Sequence, residues 1–352
     1  MPTVPAGSGN GYIAAWIVRL LLEKGYIVRA TARTEEKCER LKQIFPEYQD
    51  TFETVVVEDI TKEGAFDEAL KGIDAVEHTA SPFHFKADDP QGMPFVYLIG
   101  PAVNGTLGVL KSALKVSSIK RIVVTSSAAA IQTVGLPERK VFSELDWNQL
   151  SIDEVNQQGK NASQPSKYRA SKSLAEKAAW DFYEKHKASV SWDLVVFNPP
   201  FVFGPIIHDI SSPSALGTSA GDWYNSVVKP DMGGKSLEVI GTVGGGWVDV
   251  RDIALAHALA LQKEEAADQR LIISNSEFVY QDFLDIANSL SPSPIPSHTD
   301  LPKGNPGAGK DFVPNIAYDA SKASRILGPE LRYHTMEETT RDTLADFERR
   351  GW

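Results

Sequence analysis

The chain has 352 residues, 42% of them hydrophobic and 23% charged, with a formal charge of −10. That length and balance suit one large α/β domain, or a domain plus a lobe, and exclude extended disorder. The acidic excess argues against a nucleic-acid partner, which would require a basic face. In chain order, residues 13–23 carry apolar side chains at 13, 17, 20 and 21, a helical spacing that stops at Gly25. A strand is predicted over 26–32, a helix over 35–44 and a strand over 54–57. Residues 65–70 read as a helix and 75–79 as a strand, then 105–114 as a helix and 121–125 as a strand. A long helix over 166–183 and a strand over 194–197 complete the series. Such alternation implies a parallel sheet with helices on both faces, and right-handed crossovers make it a doubly wound, Rossmann-type α/β fold.

Beyond Pro205 the texture changes. Residues 211–221 are rich in Ser, Gly and Ala, 223–228 look helical, and 241–246 read as a glycine-rich turn. Helices are predicted over 254–262 and 280–289, and 291–309 form a polar, proline-rich loop. The expectation is a smaller C-terminal lobe interleaved with returning segments. Cys38 is the only cysteine, which leaves no intrachain disulfide and no cysteine metal cluster; no other metal-binding spacing stands out. The first residues lack the basic start and apolar run of a secretory signal, and no apolar run reaches the roughly 18 residues of a membrane span. A cytoplasmic protein with no membrane partner is the default.

Two stretches carry chemistry. Gly7-Ser-Gly9-Asn-Gly11-Tyr-Ile-Ala14 opens the first helix, and glycines there let the backbone approach a pyrophosphate held by free helix amides. The strand that should lead into this loop is apparently truncated. Only Thr3-Val-Pro-Ala6 is available, with a proline that cannot donate to a ladder. Either residues 2–6 substitute poorly for a full strand, or the two flanking strands close ranks. The second stretch is Tyr168-Arg-Ala-Ser-Lys172. Residues at i and i+4 share a helix face, so an ammonium stands beside a phenol, favours the phenolate and lowers the tyrosine pKa. That arrangement suits proton donation to a carbonyl oxygen. Upstream, the strand Arg121-Ile-Val-Val-Thr125 ends in Ser126 and Ser127, whose side chains point oppositely, so one of them can polarise the same oxygen.

Ser127, Tyr168 and Lys172 together resemble the triad of the short-chain dehydrogenases/reductases in their extended form, and the likeness covers nearly the whole chain. In family order come Arg33 and Lys37, Asp59-Ile60, Thr79-Ala-Ser-Pro82 and Asn104-Gly-Thr106. Asn198-Pro-Pro-Phe-Val-Phe-Gly-Pro205 and Trp247-Val-Asp-Val-Arg-Asp252 follow. Within the family the chain is most similar to fungal carbonyl (aldehyde/ketone) reductases, relatives of plant dihydroflavonol reductases. The glycine loop departs from the family pattern, since Ser8 takes the first glycine's place unless Gly7 or Gly9 slides in.

The resemblance implies NADPH-dependent reduction of an aldehyde or ketone to an alcohol. Tyr168 would be the general acid, Lys172 would lower its pKa and bond the nicotinamide ribose, and Ser127 would polarise the carbonyl. Gly9, Asn10, Gly11, Tyr12 and Ile13 would cradle the pyrophosphate, with Ala80 along its path. Arg33 and Lys37, where an NAD enzyme would carry an acid, would take the 2′-phosphate of NADPH. Asp59 and Ile60 would hold the adenine, and Pro199 would shape the carboxamide pocket. Phe83, Phe85, Val134, Phe201 and Tyr224 are the candidate substrate walls. Residues 1–205, with returning segments about 240–260, would form the NADP-binding domain, and 206–352 mainly the substrate lobe. The family includes monomers and homodimers. Trp247–Asp252 is read as structural, an aspartate and an arginine pinning a strand to a helix start. Two other readings are a nucleotide-sugar epimerase or dehydratase of the same family, and a non-catalytic Rossmann-like module impaired in cofactor binding.

Overall fold

The structure, a computed structural model, describes residues 3–7, 9–79, 99–310 and 312–352. The chain begins with β1 (Thr3–Gly7), α1 (Tyr12–Glu23), β2 (Ile27–Ala32), α2 (Glu35–Ile44) and β3 (Phe52–Val56). It continues through β4 (Ala75–His78), α3 (Gly100–Ala113), β5 (Arg121–Thr125), β6 (Lys140–Phe142), α4 (Gln149–Gln158), α5 (Gln164–His186) and β7 (Asp193–Phe197). Next are β8 (Phe201–Phe203), α6 (Thr218–Val227), α7 (Leu237–Thr242), β9 (Gly244–Asp249) and α8 (Val250–Ala260). The last are β10 (Arg270–Leu271), β11 (Ser276–Val279), α9 (Tyr280–Ser289), β12 (Ile316–Tyr318), α10 (Ser321–Leu327) and α11 (Met336–Arg350).

Seven strands form one parallel sheet in the order β10-β7-β5-β4-β1-β2-β3, so the chain reverses its direction of winding between β1 and β4. That reversal opens a crevice at the carboxyl edge, where ligands bind in doubly wound sheets. Strand β1 does occupy its central place. It pairs with β2 from Thr3↔Ile27 to Ala6↔Ala30, but with β4 only at Ala6↔Glu77 and Gly7↔His78. Of the two sequence alternatives, substitution by the first few residues is therefore the one realised. The sheet tolerates Pro5 because the strand is short and its β4 ladder starts after the proline.

Helix α1 turns Ala14, Ile17, Val18 and Leu21 onto the sheet, and Ala254 and Ala258 of α8 join the same core. The Trp247–Asp252 segment is structural in its contacts. Asp249 caps α8 through the Arg251 amide at 2.8 Å, pairs with the Arg251 guanidinium at 2.8 Å, and accepts from Thr339 Oγ1 at 2.7 Å. Away from the parallel sheet, β8, β9 and β11 make a three-stranded sheet. It packs against α6, α9 and α11 through an aromatic core of Phe203, Trp223, Trp247, Phe278, Phe283 and Phe347.

Two predicted elements are corrected. Residues 65–70 form hydrogen-bonded turns, not a helix; Gly64 and Gly72, both at positive φ, leave too short a stretch to repay helix nucleation. Residues 244–246 form the start of β9 instead of a turn. Their glycines answer a close approach: a Cβ on Gly244 would lie 1.7 Å from the Phe278 carbonyl oxygen, and one on Gly246 would lie 2.5 Å from the Tyr318 ring.

Leu21 is fully buried between α1 and the sheet. Leu21→Ala is expected to lower unfolding stability by about 3 kcal/mol, measured by urea denaturation; a loss below about 1 kcal/mol would mean that α1 is not seated as described.

Candidate active site

A cleft of about 330 Å³ lies at the carboxyl edge of the sheet. Gly11–Ala14 form one wall, Thr125, Ser126 and Ser127 the floor, and Tyr168 and Lys172 the wall opposite. Thr79, Pro199, Pro200, Val202 and residues 217–220 complete it.

Each wall has a local cause. Strand β5 is apolar from Ile122 to Val124 and then meets the hydroxyl residues Thr125, Ser126 and Ser127. The Ser126 amide donates to the Phe197 carbonyl at 2.8 Å, and the Ala128 amide to the Pro199 carbonyl at 2.9 Å. This corner sends the two serines apart. Ser126 Oγ donates to Glu176 Oε2 at 2.6 Å, whereas the Ser127 hydroxyl is hydrogen-bonded to Tyr168 and accepts from the Ala129 amide at 3.1 Å. Helix α5 starts where it does because Ser163 caps it and Pro165 occupies its first turn. Tyr168 and Lys172 then fall one above the other on the face toward β5.

Burial dominates the electrostatics. It raises the Tyr168 pKa above the usual phenol value, opposed by the Ser127 hydrogen bond and the Arg169 guanidinium. The expected depression by Lys172 is not the controlling effect, since removing the phenol from water costs the phenolate more. Lys172 is pushed down to about 8 by burial, with the Glu176 carboxylate opposing. His78, behind Lys172, is pushed down to about 4 by burial and by that lysine, so its imidazole is neutral at pH 7. Below the floor, Thr125 Oγ1 meets His257 Nε2 at 3.0 Å, and His257 Nδ1 meets Glu77 Oε2 at 2.5 Å. Glu77 and His257 are wholly buried, and together they lock the ends of β4 and β5 onto α8.

With this geometry in view, the relatives are informative. The sequence pattern of the NAD dependent epimerase/dehydratase family matches residues 9–274. This chain belongs to that family, the extended short-chain dehydrogenases/reductases. It is 37% identical to the NADPH-dependent methylglyoxal reductase GRE2 of Saccharomyces cerevisiae, over 97% of each chain. It is 31% identical to a dihydroflavonol 4-reductase of Arabidopsis thaliana, over 78% of this chain and 66% of that one. The crystal structure of yeast methylglyoxal/isovaleraldehyde reductase Gre2 complexed with NADPH superposes with a TM-score of 0.83 at 34% identity, covering 99% of both chains.

The residues present fit a dinucleotide of this family. Gly11 at the α1 N-cap offers no side-chain cap, and the first turn of α1 holds no acidic residue, so its amides and dipole face the cleft ready for an anion. A Cβ on Gly9 would lie 2.6 Å from Ala30 Cβ, so this position needs glycine for the loop to lie against β2. Tyr12 turns its hydroxyl away to donate to the Gly204 carbonyl at 2.7 Å. Lys37 lines a second hollow of about 240 Å³ with Asn10 and Arg40. Arg40, which the sequence reading missed, is already paired with Glu36 and Asp209. Arg33 lies close enough to Asp59 to help hold that carboxyl below its usual range, although the larger causes are its bonds to Thr61. Ile60 offers its carbonyl to α3, where only Gly108 permits the approach.

The substrate walls fared differently. Phe83 and Phe85, like Ala80, lie outside the described residues. Val134, Phe201 and Tyr224 are not among the residues facing the cleft. Phe201 packs on Phe203 and Phe278, and Tyr224 sits edge-on to Phe347 in the lobe core. An aromatic in an amphipathic helix is drawn first to the largest apolar core available. Val202 and residues 217–220 face the cleft instead, and the Ser/Gly/Ala richness of 211–221 was the one signal that could have pointed there.

Lys172 borders the open cleft, so its titration is accessible to a reagent. Its acylation rate, followed by peptide mass spectrometry, is expected to be half-maximal near pH 8, about two units below an ordinary lysine. A midpoint above pH 10 would contradict the burial described here.

Proposed function

We propose that this chain is an NADPH-dependent reductase of aldehydes or ketones, acting through Ser127, Tyr168 and Lys172. The supporting observation is that these three side chains and the uncapped start of α1 border one cleft at the reversal point of the sheet. NADPH would supply the hydride. Tyr168, a phenol whose pKa burial raises further above its ordinary value, donates its proton to the carbonyl oxygen, and the Ser127 hydroxyl polarises that oxygen. The Lys172 ammonium, still largely charged at pH 7, stabilises the phenolate left behind and bonds the nicotinamide ribose.

Gly9, Asn10, Gly11 and the amides of Tyr12 and Ile13 hold the pyrophosphate. Arg33 and Lys37 take the 2′-phosphate, Asp59 and Ile60 the adenine, and Pro199 the carboxamide side, with Ala80 on the pyrophosphate path. Residues 1–205 and the returning segment 240–260 serve the dinucleotide, and 206–352 serve mainly the substrate, in a cytoplasmic monomer or homodimer. Val202 and residues 217–220 join Phe83 and Phe85 as the substrate walls, and small α-dicarbonyls, the class named for the yeast relative, are the first substrates to try.

Tyr168→Phe is expected to lower turnover by about 10³-fold, while the NADPH dissociation constant, read by nicotinamide fluorescence, changes less than about twofold because the phenol ring stays. Full turnover in that variant would remove the proposed acid. Arg33→Ala and Lys37→Ala should each weaken NADPH about tenfold and leave NADH binding unchanged. Equal losses for both dinucleotides would place the 2′-phosphate elsewhere.

A further inference from the structure

Behind the cleft, one carboxylate gathers three strand ends. Glu176 lies one helical turn after Lys172 on α5 and is 2% exposed. Its Oε2 accepts from Ser126 Oγ at 2.6 Å and from Asn198 Nδ2 at 2.7 Å, and its Oε1 accepts from Arg270 Nε at 2.5 Å. These partners stand just past β5, just past β7 and at the start of β10. Asn198 Nδ2 also donates to the Ser127 carbonyl at 3.1 Å, so the carboxylate reaches the polarising serine through one intervening side chain.

The surroundings of Lys172 make that carboxylate more than a packing element. A small, partly open chamber of about 20 Å³ lies between the lysine and the sheet. Facing it are His78 from β4, Thr106 from α3, Thr125 and Ser126 at the end of β5, and Glu176 from α5 itself. Tyr168 stands on the cleft side, and Arg270 is reached only through Glu176. Among the described residues that face this chamber, His78 is neutral at pH 7 and Glu176 is the one carboxylate. A buried carboxylate is costly unless it is paired and hydrogen-bonded; Arg270 pairs with one oxygen, and the Glu176 side chain lies on the same chamber as the Lys172 ammonium.

We propose that Glu176 is a positioning residue of the reductase site, fixing the Ser126–Ser127 corner through Asn198 and supplying the buried negative charge opposite the Lys172 ammonium. The inference rests on the reductase reading above and extends it to a residue that touches neither substrate nor dinucleotide. It is consistent with the lysine's burial being opposed by this carboxylate.

The test compares Glu176→Gln and Glu176→Asp with the parent protein. Lys172 acylation and NADPH binding by fluorescence are measured from pH 6 to 10, beside turnover of an α-dicarbonyl. Glu176→Gln is expected to lower the Lys172 midpoint, and the pH above which NADPH binding weakens, by about one unit. Its turnover should fall about tenfold at pH 7 with KM within about twofold. Glu176→Asp retains the charge, so the midpoint should return to within about 0.3 unit of the parent while turnover stays at least about threefold reduced. An unchanged midpoint in Glu176→Gln, with loss confined to melting temperature, would overturn the proposal and leave Glu176 as the structural partner of Arg270. Should Glu176→Gln fail to fold, parent-like turnover in folded Glu176→Asp would overturn it equally. The midpoint requires no turnover, so it is read separately from failure of the reductase reading, which would appear as an inactive parent.

Discussion

A parallel sheet concentrates unsatisfied polar groups at one edge, and this constraint organises the molecule. Strands β1, β4, β5 and β7 all end on the same side, and each is followed by small or polar residues that leave the sheet. Gly9-Asn10-Gly11 follow β1, Thr79 follows β4, Ser126-Ser127 follow β5 and Asn198-Pro199 follow β7. Helices cover both faces of the sheet, so these groups must find partners along the edge or meet a ligand there. The cleft is the space in which they meet. The reversal between β1 and β4 sets its centre, and the first turn of α1 supplies a positive end without a capping side chain.

Burial then fixes what the edge groups can do. The same removal from water raises the Tyr168 pKa and lowers that of Lys172, driving apart two groups whose solution values nearly coincide. A phenol and an ammonium at their solution values would differ little in basicity but would both be well solvated. Here the proton stays on the phenol and the cation is held with little reserve. The lysine's charge is therefore sensitive to one nearby carboxylate, and the neutrality of His78 keeps a second cation out of the same chamber. The Thr125–His257–Glu77 chain lies on the other side of the floor, where it restrains the ends of β4 and β5.

Much of this was legible in the sequence because it depends on local spacing. The α/β alternation, the helix that pairs Tyr168 with Lys172, and the strand ending in serines are all properties of neighbouring residues. Strand alternation said only that one of Ser126 and Ser127 could serve, the family resemblance pointed to Ser127, and the Glu176 contact of Ser126 is in keeping with that choice. What escaped notice depends on distant packing. The glycines at 244 and 246 look like a turn until Phe278 and Tyr318 are brought against them. Tyr224 looks like a pocket wall until Phe347, more than a hundred residues later, draws it into the lobe core. Residues 65–70 have helical apolar spacing, but flanking glycines at positive φ confine them to turns. Strand β1 looked truncated because Pro5 breaks the usual apolar run, and only the sheet itself shows that five residues suffice.

The difference between a reductase and the other activities of this family lies less in the sheet than in what borders it. Ser, Tyr and Lys around a nicotinamide serve hydride transfer in either direction, so these three alone do not separate a carbonyl reductase from an epimerase. Separation has to come from the dinucleotide's far end and from the substrate side. At the first, the proposed role of Arg33 and Lys37 would suit a 2′-phosphate that a carboxylate would repel. At the second, Pro200, Val202 and residues 217–220 offer small and apolar contacts, with no cluster of charges among the described residues of that wall. Both ends favour a small neutral carbonyl reduced at the expense of NADPH, which is the direction a 2′-phosphorylated cofactor normally serves.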